Sequence, residues 1–395
     1  MPRVDESLID SEEQLRRLDS RQTLRALATA GAQVREAVRL ARDAGVHRVA
    51  GGDRPRSVLV ASLGGSSVVA DALELLAEPG SPVPVSTRHN LPLPGWVGSL
   101  DLVIAVSHSG RAPGPLALAA EAARRGAALL TVGVADSPLA DVCARARGIH
   151  VDVPAERTST RTSLWSLLTP VLVAADALGL ATVPESVLAR AADRLDAAAA
   201  AYRPSSESFV NPAKVLAADL AEGVPVVLAD GPVAGVAARR AASMLARTAR
   251  LPAVWGELPD AASQVVALLD GPYTDGGAAL AVGAERDPVD DIFRDPFLDG
   301  APEARIALLA LRATPLGSAA AASESGEPAL IDAVVQTARS AGVRVSEHAA
   351  EPAHALEQLA ELVALGDFTA TYLALGLGLD PAVSAHLADL RDRTR

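Results

Sequence analysis

Ser57-Val58-Leu59-Val60-Ala61 runs through Ser62-Leu63 into Gly64-Gly65-Ser66-Ser67, and the chain then continues as an apolar helical stretch, Val68–Ala77. A short continuous apolar run, a glycine–serine turn and a helix together form the opening of a strand–turn–helix unit. The unit returns at Asp101-Leu102-Val103-Ile104-Ala105-Val106, which meets Ser107-His108-Ser109-Gly110 before a helix from about Pro115 to Arg125. Further apolar runs lie at Val83–Ser86, Ala128–Val132 and Ile149–Val153. Strands that are apolar throughout, rather than alternating, are buried on both faces. With helices between them they predict a parallel sheet covered on both sides, joined by right-handed crossovers.

Working outward, residues Ser11–Ala44 have an approximately helical apolar spacing through Leu15, Leu18, Leu24, Leu27, Val34 and Val38. Ser163–Gly179 is an apolar helix expected to close the first lobe. Pro184–Ala217 is an alanine-rich bridge broken at Arg203–Ser206. The pattern then restarts with Val224–Ala229, the turn Asp230-Gly231-Pro232 and a helix Ala234–Arg250, an echo of Val58–Leu76. More strands are expected at Ala253–Trp255, Gln264–Leu269, Ala304–Leu311 and Val343–Glu347. Gly276–Pro302, rich in Asp, Gly and Pro, is expected to be a surface insertion. Helices follow at Glu351–Ala364, Phe368–Leu375 and Pro381–Arg391. The fold class is therefore α/β, with two lobes, each a parallel sheet flanked by helices in three α-β-α layers. The expected divisions are an N-terminal helical segment 1–50, a first lobe 51–183, a helical bridge 184–222 and a second lobe 223–395.

Composition narrows the function classes. At 395 residues and 49% hydrophobic the chain can bury a large core, and a charge of −12 argues against nucleic-acid or anionic-membrane partners. The single cysteine, Cys143, forms no disulfide within the chain and is expected to be a small buried thiol. Met1–Asp10 is acidic and has no signal-peptide pattern, and Pro170–Val183 is too short an apolar stretch to span a bilayer. A cytoplasmic location is the expectation.

The two glycine–serine turns carry the chemistry. In a parallel α/β sheet, ligands sit beyond the carboxyl ends of the strands, near a topological switch point. Helix N-termini there offer unpaired N–H groups, serine hydroxyls add donors, and glycine lets the backbone approach closely. Convergent neutral donors of this kind suit a phosphate monoester. Capping of the helices by the same serines is the plainer use of either turn alone. No His and Cys spacing suggests zinc, Gly64–Ser67 fits neither a dinucleotide nor a P-loop pattern, and Asp287–Asp291 lacks calcium-loop spacing. No metal or cofactor is expected.

On these residues the first lobe resembles a sugar isomerase (SIS) domain. The whole chain resembles the bifunctional phosphoglucose/phosphomannose isomerase family, which has two such lobes in tandem. The match is carried by Gly64–Ser67, Ser107–Gly110, Arg161-Thr162-Ser163-Leu164, Gly256-Glu257-Leu258-Pro259-Asp260 and the tail through Gly366-Asp367-Phe368-Thr369, Tyr372-Leu373-Ala374 and Gly378-Leu379-Asp380-Pro381. The resemblance implies a homodimer that interconverts an aldose and a ketose phosphate without metal or cofactor. It uses a carboxylate to move a proton between C1 and C2, a histidine to open the ring and a cation to stabilise the enediolate. It implies that Gly64, Gly65, Ser66, Ser67, Ser107 and Ser109 hold the phosphate and that Arg161 sits by the reacting carbons.

The sequence departs from that pattern. The phosphate loop, usually ending Ser-Gly-Asn-Thr, reads Ser109-Gly110-Arg111-Ala112, so one hydroxyl is lost and Arg111 supplies a cation in its place. Alignment on Glu257–Asp260 puts Arg247 at the position of the base and Ser263 at that of the histidine, and the C-terminal lysine falls near Arg391. Arginine is no general base, and serine does not do a histidine's work near neutral pH without activation. Replacement groups are Glu257, Asp260, His348 or His354, with Glu257 the best placed, beside Trp255. His108 lies within the loop, while His89, His150 and His386 are expected to be structural. Three readings stay open: a hexose 6-phosphate isomerase, a catalytically silent phosphosugar sensor, and a structural subunit without ligand.

Overall fold

A computed structural model describes residues 4–157, 159–274, 305–314 and 329–393. The expected insertion Gly276–Pro302 and the acidic stretch Asp287–Asp291 lie outside them. The N-terminal region is divided into α1 (Glu6–Asp10), α2 (Glu12–Leu18), α3 (Thr23–Ala28) and α4 (Ala30–Asp43) rather than one long helix. The break has a local cause. The Asp19 carboxylate accepts from the backbone N–H groups of Thr23 (2.7 Å) and Leu24 (2.9 Å), and Gln22 takes a left-handed φ of 52°.

The first sheet contains β1 (Val58–Ser62), β2 (Val85–Arg88), β3 (Leu102–Val106), β4 (Ala128–Gly133) and β5 (Ile149–Asp152), all parallel, in the order β2-β1-β3-β4-β5. Alternate residues of one strand serve opposite layers. Val58, Val60, Leu102 and Ile104 join the core made with α4 and with α8 (Leu164–Ala177), beside α5 (Ser67–Ala77). Leu59, Ala61, Val103 and Ala105 pack instead with α6 (Pro113–Arg124) and α7 (Pro138–Arg145), where Cys143 is fully buried. The chain leaves β1 toward β2 on one side and returns to β3 on the other, so the switch point falls between β1 and β3.

The bridge forms α9 (Glu185–Ala201) and α10 (Pro212–Ala221). Its break at Arg203–Ser206 is held by the buried Lys214 ammonium, which donates to the carbonyls of Pro204 (2.9 Å) and Ser206 (2.6 Å) and pairs with Asp10 (3.0 Å).

The second sheet, β6 (Val224–Asp230), β7 (Val254–Leu258), β8 (Ile306–Arg312) and β9 (Arg344–Ala349), is also parallel, in the order β7-β6-β8-β9. It repeats the relative order of the first four strands of the first sheet, again with a switch point beside its opening strand. One face is covered by α11 (Pro232–Met244, continued by a π-helical turn Leu245–Ala249), and the other by α12 (Ala262–Leu269) and α13 (Leu330–Ser340). The expected strand Gln264–Leu269 is thus helical. Val265 and Leu269, four residues apart, are buried against β6 and β8 while Gln264 and Leu268 are exposed, a spacing that a short apolar run conceals.

The two helices expected at Glu351–Ala364 and Phe368–Leu375 form one, α14 (Ala355–Gly376), followed by α15 (Ala385–Arg393). Gly366 does not break α14. It lets α11 approach, since a Cβ there would lie 3.1 Å from that of Ala241. Although α14 is long and apolar enough to cross a membrane, 89% of its apolar window is buried among α9, α10 and α11. It is the core helix between the sheets.

Candidate functional site

The register Ser62↔Val106 places the ends of β1 and β3 side by side, so Gly64–Ser67 and Ser107–Gly110 emerge as neighbouring turns at the switch point. Each turn needs its glycine: Gly64 and Gly110 both have φ of +62°. Ser66 is buried, and the Ser67 hydroxyl donates to the Gly64 carbonyl (2.8 Å) at the start of α5. The Ser107 hydroxyl oxygen accepts from the Ala112 N–H and that of Ser109 from the Arg111 N–H, both at 3.3 Å. These hydroxyls cap their own turns, and the accepting pair keep their O–H groups for a second partner. The His108 Nε2 is buried with no hydrogen-bond partner, and burial holds the ring below its usual pKa, hence neutral. A neutral ring suits a position beside helix N-termini. Arg111 is exposed.

A cleft of about 340 Å³ opens beside the first turn, between α5 and α11. From the first lobe it is lined by Gly64, Gly65, Ser67 and Asp71, and from the second by Arg239, Arg240, Arg247 and Trp255, among others. Arg247 lies directly over the turn. A Cβ on Gly65 would sit 2.4 Å from Arg247 Nη1 and 2.6 Å from Thr160 Oγ1, and Arg247 Nη2 donates to that same hydroxyl (3.4 Å). A guanidinium beside the N–H groups at the head of a helix gives an anion two sources of positive charge at one place. Arg239 pairs with Asp71 across the cleft (2.6 Å) and has its guanidinium 6.0 Å from the Trp255 ring centre. Burial pushes the Asp71 carboxyl up, the Arg239 charge opposes this and Glu74 adds to it. Arg240 is tied back, bonded to Asp367 on α14 (2.6 Å) and to the Arg161 carbonyl (3.0 Å).

The other residues singled out from sequence lie apart from this cleft. Arg161 is buried and donates to the Pro381 carbonyl, so it holds the C-terminal segment rather than lining the cleft. Glu257 lies on β7 two residues beyond Trp255, with its carboxylate against Gly235 on α11. Burial, and after it Glu78, pushes its pKa up. Asp260 and Ser263 are exposed. His348 faces Glu361 (3.3 Å), and His354 caps α14 through Leu356 N–H (3.1 Å). His89 Nδ1 donates to the Ser62 carbonyl (2.8 Å), His150 bonds Thr131 (2.6 Å), and His386 is exposed on α15. Sequence reasoning missed Asp71, Arg239 and Arg240. The first shares a helix face with Ser67, four residues earlier, and the arginine pair interrupts an alanine-rich helix.

The C-terminal half decides the family. Residues 209–394 match the model of the bacterial phospho-glucose isomerase C-terminal SIS domain. This C-terminal part of the chain belongs to that SIS domain family. No curated protein matches the chain in sequence. Among solved structures it is similar to a hypothetical protein from Thermus thermophilus (TM-score 0.66, 16% identity, covering 98% of this chain and 94% of that one). It is similar to a glucose-6-phosphate isomerase from Chlamydia trachomatis (TM-score 0.63, 12% identity, 93% and 77%). A further likeness is to tagatose-6-phosphate ketose/aldose isomerase from Escherichia coli (TM-score 0.59, 14% identity, 91% and 93%). At these identities the likeness establishes the fold.

Proposed function

We propose that this SIS protein binds a sugar phosphate at the β1/β3 switch point, a hexose 6-phosphate of the glucose or mannose type. The phosphate rests on Gly64–Ser67 and Ser107–Ser109, and Arg247 from the second lobe supplies the charge that neutral hydroxyls lack. The observation that carries this reading is the guanidinium packed over Gly65, at the head of α5. Residue types fit the ligand: a dianion is offered helix N-termini, small hydroxyls and a permanent cation. Homodimerisation and a cytoplasmic location complete the reading.

Isomerisation to the fructose phosphate, without metal or cofactor, is the fuller form of this function. It is favoured by the raised proton affinity of Asp71 in the cleft and of Glu257 on β7, since a base is most effective when its pKa approaches the working pH. A silent sensor is favoured by Arg247 and Ser263, which stand where the resemblance calls for a base and a histidine. Two measurements separate them. Titration with glucose 6-phosphate and mannose 6-phosphate should stabilise the wild type by about 3 kcal/mol at ligand concentrations about a hundredfold above Kd, and the Ser107→Ala/Ser109→Ala double variant by less. A coupled assay for fructose 6-phosphate then reads turnover. Binding without turnover assigns the sensor, and no binding of either sugar phosphate refutes both.

A further inference from the structure

The cleft has a second pole that a phosphate does not use. Asp71 follows Ser67 by four residues on α5, so it stands about 6 Å further along the same helix face, away from the glycine turn. There its carboxylate meets Arg239, reaching from α11, at 2.6 Å. The Asp71 side chain is 12% exposed and that of Arg239 43% exposed, so the pair is sheltered on one side and open to the cleft on the other. A carboxylate is an acceptor only and a guanidinium a donor only, and side by side they match neighbouring hydroxyls, each of which donates and accepts. The Trp255 ring, 42% exposed, lines the same pole. A large aromatic face beside a charged pair offers apolar contact to a flat ligand whose rim is polar, which describes a sugar ring.

Resting on the function proposed above, we propose that the Asp71–Arg239 pair, with the Trp255 ring beside it, is the end of the site that recognises the sugar. The hydroxyls of a hexose phosphate bond to the pair while its anionic end lies at Gly64–Ser67 beneath Arg247. The raised proton affinity of Asp71, caused first by burial, agrees with a carboxylate still short of donors. Specificity among hexose phosphates is then set by which hydroxyls reach Asp71, and affinity for the phosphate by the other pole.

Calorimetric titration of the full chain with glucose 6-phosphate, mannose 6-phosphate and inorganic phosphate tests this. Asp71→Asn and Arg239→Gln should each weaken the hexose phosphates about tenfold or more, the loss of a charge-assisted hydrogen bond, and leave inorganic phosphate within about twofold. Arg247→Gln should weaken all three alike. Tryptophan fluorescence supplies a readout that a merely structural ion pair does not move. The wild type should respond to hexose phosphate and not to inorganic phosphate, and Trp255→Phe should abolish the response although Trp96 and Trp165 remain. If Asp71→Asn fails to fold, Arg239→Gln and Trp255→Phe carry the test. Equal weakening of all three ligands by the Asp71 and Arg239 variants, or equal affinity of the wild type for phosphate and hexose phosphate, overturns this inference and leaves the phosphate site standing. A wild type that binds none of the three overturns the phosphate site as well.

Discussion

Replacing Gly65 by alanine separates binding from folding at one atom. The φ of Gly65 lies outside the left-handed region, so alanine fits the backbone there. Its Cβ, however, would lie 2.4 Å from Arg247 Nη1 and 2.6 Å from Thr160 Oγ1. The Arg247 guanidinium is the far end of a flexible side chain and swings away, and the Thr160 hydroxyl must turn as well, each at a cost in stability of about 0.5–1 kcal/mol. The ligand loses more. A hydrogen bond to a charged group contributes about 1.5–3 kcal/mol, so sugar-phosphate affinity should fall about 10- to 150-fold. Gly64→Ala is the contrasting variant. A Cβ there meets nothing within 4 Å, but its φ of +62° makes alanine strained by about 1–2 kcal/mol. Thermal unfolding and calorimetric titration of both variants read the two quantities. Gly65→Ala should lose affinity with a modest fall in melting temperature, and Gly64→Ala should lose about as much stability. Wild-type affinity in a folded Gly65→Ala would refute the placement of the anion beneath Arg247.

Three further outcomes follow from the fold. Asp367→Ala strands Arg240, whose side chain is 4% exposed, and should destabilise by about 3–5 kcal/mol in urea unfolding, whereas the apolar pair Arg240→Met/Asp367→Leu should recover most of that. Burial lowers the pKa of His108 and His150 below 6.5, so the unfolded chain binds their protons more readily. Stability should therefore be full above about pH 6.5 and be lost as pH falls through the folded-state values; a His108→Gln/His150→Gln variant whose melting temperature falls as steeply between about pH 7 and pH 5 would contradict this. Burial pushes the Cys143 thiol up, so it should resist a thiol reagent in the native protein at about pH 8 and react once urea unfolds the chain.

The strands were legible because burial on both faces leaves an uninterrupted apolar run, as at Val58–Ala61 and Leu102–Val106. Turn chemistry was legible for the same local reason, since Gly64 and Gly110 announce a left-handed backbone. Helix boundaries were less so. The apolar run Gln264–Leu269 fits a strand or a helix equally, and only packing on β6 and β8 chose. The pause between Ala364 and Phe368 suggested two helices, because Gly366 acts as a breaker in isolation and as a point of close approach once α11 lies against it.

From its own order of residues the chain determined the two parallel sheets, the turns that follow β1 and β3, and the small donors those turns display. These depend on period, on turn residues and on burial, which act over a few neighbours. The cleft was decided in three dimensions. Arg247 looked like the loss of a base until α11 carried it over Gly65, and Asp71, Arg239 and Trp255 had no common meaning until two helices far apart in sequence packed together. Contacts between distant elements depend on the way whole sheets and helices stack, and no local pattern of residues encodes that stacking.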